Sequence, residues 1–281
     1  MWKDGKWARE TLSLQRADGL WGFFHTLSDP GRKAITTEQA LRRLRVLGFT
    51  IRDEPVRRAV SGLHGYLSGC LPMPDRVEKT PDWPVYQQLM PAVWIRLFTE
   101  EDDLANRVAS QWAALITAAF PGGTYRQEAY FDAYAAQFSR RPSHERCRDF
   151  CHFYPVALLR GCLAPEIAEV FLSHVLSHPT GLYYMTGTPL TTPPAFQSKE
   201  ASRYLGALEL LAEYEPPACR RQLAFAADWL LKNRDGSGEW DMGPNAKDGV
   251  YFPLSDDWRR AEQRKKDCTA RIRAFLAKVA G

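Results

Sequence analysis

Asp149-Phe150-Cys151-His152 is the densest group of side chains in this chain that could hold a metal or act on a substrate, and Cys147 stands just before it. Thiolate sulfur and imidazole nitrogen are donors that zinc accepts, so Cys147, Cys151 and His152 are the candidate ligands by type. The surrounding apolar residues predict a helix over 146–162. On such a helix a spacing of four places Cys147 and Cys151 on one face and turns His152 about 100° away. Buried thiols beside aromatics explain that pattern without an ion, so no metal or other cofactor is expected. A zinc site would need a further ligand from His25, His64, His174 or His178.

Two acidic runs, Glu100-Glu101-Asp102-Asp103 and Leu254-Ser255-Asp256-Asp257, read as the first turns of helices, where carboxylates meet the positive end of the helix dipole. The candidates for acid–base work are His25, Asp149, Asp256 and Asp257, joined by Cys151 and His152. No Gly-x-Ser-x-Gly elbow occurs, and Pro121-Gly122-Gly123 lacks the lysine and spacing of a phosphate loop. Gly181-Leu182-Tyr183-Tyr184-Met185-Thr186-Gly187-Thr188-Pro189 is aromatic, bounded by Gly and Pro, and too long for a bare connector. Tyr183, Tyr184 and Trp258 are therefore the expected cavity residues.

Helices must position these groups. Period-3.6 stripes predict helices over 37–48, 53–69, 84–99, 102–119, 126–139, 165–177, 199–214, 217–233 and 256–279, besides 146–162. Leu41, Leu44 and Leu47 mark the first, and Trp258, Ala261, Cys268, Ile272 and Phe275 the last. Convincing period-two alternation is missing, so the fold class expected is all-α. Long connectors over 17–36, 70–83, 178–197 and 234–255 alternate with short ones, as in an array of helical hairpins whose long loops share one face.

Two of these connectors carry the same phrase. Asp18-Gly19-Leu20-Trp21-Gly22 follows Leu14-Gln15-Arg16, and Asp235-Gly236-Ser237-Gly238-Glu239-Trp240 follows Leu230-Leu231-Lys232-Asn233-Arg234. A glycine with positive φ turns the chain, an aspartate bonds back to the turn, and a buried Trp pins the loop. Asp4-Gly5-Lys6-Trp7 reads as a weaker third copy.

Hairpins closed by Gln15-Arg16-Ala17-Asp18-Gly19-Leu20-Trp21-Gly22 resemble the prenyltransferase and squalene-oxidase repeat of terpenoid cyclases and protein prenyltransferase β-subunits. The resemblance implies one α/α toroid of five to six hairpins over residues 1–281. Its terminal helices would pack together to close the ring around a central cavity. It also implies a small molecule, largely apolar, or a short peptide as the partner in that cavity. In protein prenyltransferases an Asp-x-Cys pair and a distant His hold zinc, and Asp149-Phe150-Cys151 stands in that register. The Asp-x-Asp-Asp acid of class II cyclases is missing. Lanthipeptide cyclases, also zinc toroids, share a Cys-His pair with Cys151-His152, without their Gly-rich motifs here. A carbohydrate enzyme on an α/α barrel, with an aromatic funnel, and a non-catalytic toroid binding peptide or lipid are the other readings.

The totals fit. The 281 residues are 45% hydrophobic and 25% charged, with nine Trp, eleven Tyr and fourteen Phe, enough for a large core. A net charge of +4 falls short of a nucleic-acid-binding domain, and Arg42-Arg43-Leu44-Arg45 and the run from Arg259 to Lys266 read as solvated helix faces. Six scattered cysteines without a paired framework and a charged start at Met1-Trp2-Lys3-Asp4 lead to a cytoplasmic protein without a membrane span as the expectation.

Overall fold

The structure, a computed structural model, describes residues 2–25, 34–143 and 148–280. Among them it is all-helical: α1 (Lys6–Ser13), α2 (Thr37–Val46), α3 (Glu54–Leu67), α4 (Trp83–Arg96), α5 (Asp103–Ala119), α6 (Gln127–Phe138), α7 (Phe153–Leu158), α8 (Pro165–Ser177), α9 (Ala201–Leu211), α10 (Pro217–Gln222), α11 (Ala224–Lys232) and α12 (Ala261–Ala280). Single-residue pairing between His152 and Tyr183 is the β-type contact recorded. None of the described helices is long and apolar enough to cross a membrane.

Local chemistry sets the helix ends. Thr36 accepts the Gln39 N–H while the Gln39 side chain returns to the Thr36 N–H, a complete capping box at the start of α2. Proline in the first turn of α3, α4, α8 and α10 occupies positions whose N–H would have no helical partner. The Asp102 carboxylate accepts the Ala105 N–H ahead of α5, so that acidic run is a helix cap as expected.

The chain forms two compact units, Met1–Gln111 and Trp112–Gly281, and their boundary falls within α5. In the first unit α3 packs on α4 and α1 on α2, around Leu41, Leu44, Leu63, Leu89 and Trp94. In the second, α12 packs against α9, α10 and α11, with Cys268, Ile272 and Phe275 fully covered.

α12 also holds the loop before it. Thr269 accepts the Trp240 N–H, Asp267 accepts the N–H groups of Leu254 and Ser255, and Arg264 forks onto Asp241. Arg271 forks onto Glu209 of α9 at 2.9 and 2.5 Å and lies over the Phe252 ring at 4.5 Å. These bonds satisfy backbone groups that an irregular loop would otherwise bury unpaired.

Several sequence expectations need correction. The segment 146–162 is not one helix, since α7 begins only at Phe153. The segment 217–233 divides at Leu223 into α10 and α11. The last helix begins at Ala261, so Asp256 and Asp257 precede it rather than form its first turn. Trp7 lies inside α1, after an extended Gly5, and is not a third joint.

Candidate functional site

The site grows from a short irregular run in the second unit. Asp149 folds its side chain back so that Oδ1 accepts the Cys151 N–H at 2.7 Å. The His152 N–H then bonds to the Phe150 carbonyl at 2.8 Å, tightening the turn centred on Cys151. These two local bonds bring the Asp149 carboxylate beside the Cys151 thiol. The Phe150 side chain anchors the run: its ring stacks on Phe171 at 5.2 Å and sits 5.4 Å from Tyr125 and 5.7 Å from Tyr130.

The third member comes from α8. His178 is the residue that ends this helix, and its Nε2 lies 2.5 Å from Asp149 Oδ2. Its Nδ1 lies 3.1 Å from the Thr180 hydroxyl, which fixes the ring from the other side. Asp149, Cys151 and His178 thus each offer a ligand atom, all within 4.8 Å of one another. Around one zinc ion, with bonds of about 2.0–2.3 Å, tetrahedral donors stand about 3.3–3.7 Å apart, so binding would draw the farthest of these atoms inward and part the His178–Asp149 contact.

Burial and the Asp149 carboxylate together set the protonation of the groups around it. Burial pushes the Cys151 thiol well up from its ordinary value, and the Asp149 charge and its hydrogen bond add to the rise. Tyr125 is pushed up by burial and then by Asp149 and Cys151. His174, one turn before His178 and 4.4 Å from the Tyr125 ring, is pushed down by burial against the pull of Asp149, with His178 adding to the fall. A thiol desolvated beside a carboxylate keeps its proton, and a divalent cation reverses that preference. The donor set therefore fits zinc.

A second feature starts from the same loop. The Tyr183 N–H donates to the Cys151 carbonyl at 3.0 Å and the Tyr183 carbonyl accepts from Phe153 at 3.1 Å, so the 178–188 loop is tied to the ligand-bearing run. Beyond it Tyr183 and Tyr184 line a cavity of about 1040 Å³, with Ser198, Arg203, Tyr204 and Asp248 among the opposing residues. Gly181 makes the loop possible, because a Cβ there would lie 2.1 Å from the Thr188 carbonyl oxygen.

The structure thus brings Asp149 and Cys151 together with His178, and it places Tyr183 and Tyr184 on the cavity wall. Cys147 lies outside the described residues. His152 is buried at the start of α7, edge-on to Tyr154, and is not in the cluster. The ground for expecting a metal-free site, two thiols on one helix face, does not hold, since Cys151 is not in a helix. Trp258 belongs to the core instead of the cavity: it packs on Phe252 at 4.9 Å and donates to the Pro244 carbonyl. Asp257 pairs with Arg260 at 2.9 Å, and Asp256 is exposed beside it. His25 lies buried in the first unit, 3.5 Å from Asp75 and 3.6 Å from Glu78. The exposed His64 ring meets Asp102 at 2.7 Å.

Compared with known proteins, the chain matches no family model, no curated protein and no solved structure.

Proposed function

We propose that Asp149, Cys151 and His178 form a zinc centre, and that the chain is an enzyme acting on a small molecule in the Tyr183–Tyr184 cavity. One observation carries the reading: two separate segments bring three zinc-type donor atoms within 4.8 Å of one another. Bound there, zinc would supply a Lewis acid with one position left for a substrate thiol or a water, lowering that group's pKa.

The chain's own residues define the rest. With an ion bound, Asp149 and a deprotonated Cys151 would supply the negative charge that a dication requires, and the His178 imidazole would add a nitrogen donor. Thr180 holds the imidazole on its far side, the arrangement that orients ligands in metal sites. Phe150, beside both Asp149 and Cys151 in the chain, is anchored between the Tyr125 and Phe171 rings and so fixes the run that carries them.

The arrangement of an aspartate and cysteine two positions apart with a distant histidine supports a place among the prenyltransferase-like α/α toroids. The paired Trp joints at Trp21 and Trp240 support it too. Cobalt(II) added to metal-free protein tests the reading, because a thiolate on cobalt gives a charge-transfer band in the near ultraviolet. The band is expected in the wild type and lost in Cys151→Ala. A wild type without it contradicts the proposal.

A further inference from the structure

The wall of the cavity carries a pattern that a wholly apolar occupant leaves unused. Tyr183 and Tyr184 are 45% and 37% exposed, with ring centroids 4.3 Å apart. Tyr184 adopts φ 73°, a left-handed backbone that residues with a Cβ avoid. Two bonds to the Leu182 carbonyl, from the N–H groups of Met185 and Thr186, hold this turn in place. The Tyr184 ring meets Tyr154 at 5.4 Å on its buried edge, so the strained backbone presents an aromatic surface to the cavity.

Hydroxyl groups and charge face it. Thr188 and Thr192 are exposed on the wall, and the Ser198 hydroxyl oxygen is buried there with no hydrogen-bond partner. A buried hydroxyl without a partner is costly, and a ligand that donates or accepts removes that cost. Asp248 is already committed, accepting the N–H groups of Val250, Tyr251 and Phe252 and the Ser202 hydroxyl. Lys199 stands 3.7 Å from Glu200. Arg203, one turn along α9, has no ion pair or hydrogen bond among the described residues, and its planar fork matches a carboxylate or a phosphate.

We propose that this cavity binds a polyhydroxylated ring carrying an oxyanion, an acidic sugar or a sugar phosphate. Tyr183 and Tyr184 lie against the ring, Ser198 bonds a ring hydroxyl, and Arg203 takes the charge. A hydrocarbon chain in the same place would desolvate the exposed threonines without replacing their bonds to water and would leave Ser198 unpartnered. The inference rests on the cavity being the substrate site proposed above, and it does not depend on the metal.

Calorimetric titration at constant ionic strength tests it with glucuronate, glucose 6-phosphate, glucose and hexyl phosphate. Glucuronate or glucose 6-phosphate is expected to bind at least about tenfold more tightly than both glucose and hexyl phosphate. Which of the two binds identifies the oxyanion as carboxylate or phosphate. Arg203→Ala and Tyr184→Ala are each expected to weaken that binding about tenfold, with Arg203→Lys intermediate. Circular dichroism melts of the variants separate lost contacts from lost folding. Hexyl phosphate binding as tightly as the sugars, no binding by any of the four, or binding unchanged in a folded Arg203→Ala would each overturn the inference. Zinc content measured on the same preparations reports the metal reading separately.

Discussion

Trp21 and Trp240 are held by the same pair of hydrogen bonds. Each indole N–H donates at 2.7 Å to the carbonyl of the residue ten positions earlier, Thr11 for one and Leu230 for the other. Each backbone N–H donates at 3.0 Å to a threonine hydroxyl, Thr37 on α2 and Thr269 on α12. The turns match as well: Arg16 N–H bonds to the Leu20 carbonyl and Asp235 N–H to the Glu239 carbonyl, with Gly19 and Gly238 at φ 83° and 80°. Gly19 therefore corresponds to Gly238, two residues beyond the Asp-Gly alignment suggested by sequence.

Both indoles are almost fully covered, at 2% and 3% exposure. Truncation leaves a large cavity and one carbonyl without its indole partner, while the backbone bond to the threonine survives, so Trp21→Ala and Trp240→Ala should each cost about 3–5 kcal/mol. Denaturant unfolding checks this, and a loss below about 1 kcal/mol in either variant would refute the joint's structural role.

Arg271 is 6% exposed and depends on Glu209 for its charge partner. Glu209→Ala leaves the guanidinium buried without its carboxylate and should destabilise the second unit by about 3 kcal/mol. Arg271→Met should cost less, because the part-exposed Glu209 regains water. Equal losses in the two variants, measured by urea unfolding, would contradict this asymmetry.

Tyr214 is fully covered and donates to the Val156 carbonyl at 2.7 Å, and burial pushes its hydroxyl well up from the ordinary value. Above about pH 10 the unfolded tyrosine loses its proton while the folded one keeps it. The unfolded state is then favoured, and stability falls as pH rises. Tyr214→Phe should lose about 1 kcal/mol at neutral pH and show a shallower alkaline decline. A decline as steep as the wild type's would show that other groups govern it.

Cys151 gives the metal reading its own pH dependence. Burial and then Asp149 raise its thiol pKa, so a metal must displace that proton across the neutral range. Apparent zinc affinity should fall about tenfold for each pH unit of acidification, one proton per ion. Chelator competition between about pH 6 and 8 measures the slope, and a flat profile would exclude Cys151 as a ligand.

Most helices were legible because amphipathic periodicity reflects the same burial that stabilises them, and α8 lies within the range its stripe predicts. The Trp joints were legible from glycine and tryptophan spacing. The ligand-bearing run was not. Its apolar residues look helical, but the Asp149 side chain takes the Cys151 N–H that a helix would use. Pro155, in the first turn of α7, was the available signal that the helix begins late. Leu223 divides two helices without a glycine or proline to mark it, at φ −92° and ψ 5°. His178 joins the cluster through the packing of α8, which no local spacing reveals.

Zinc content is the most direct measurement of the central claim. Protein purified without chelators and analysed for metals by mass spectrometry should hold close to one zinc per chain. Asp149→Ala, Cys151→Ala and His178→Ala should each lower that content sharply while His152→Ala, outside the cluster, retains it. A wild-type chain that neither carries zinc nor takes it up on addition, or folded ligand variants that retain it fully, would contradict the account.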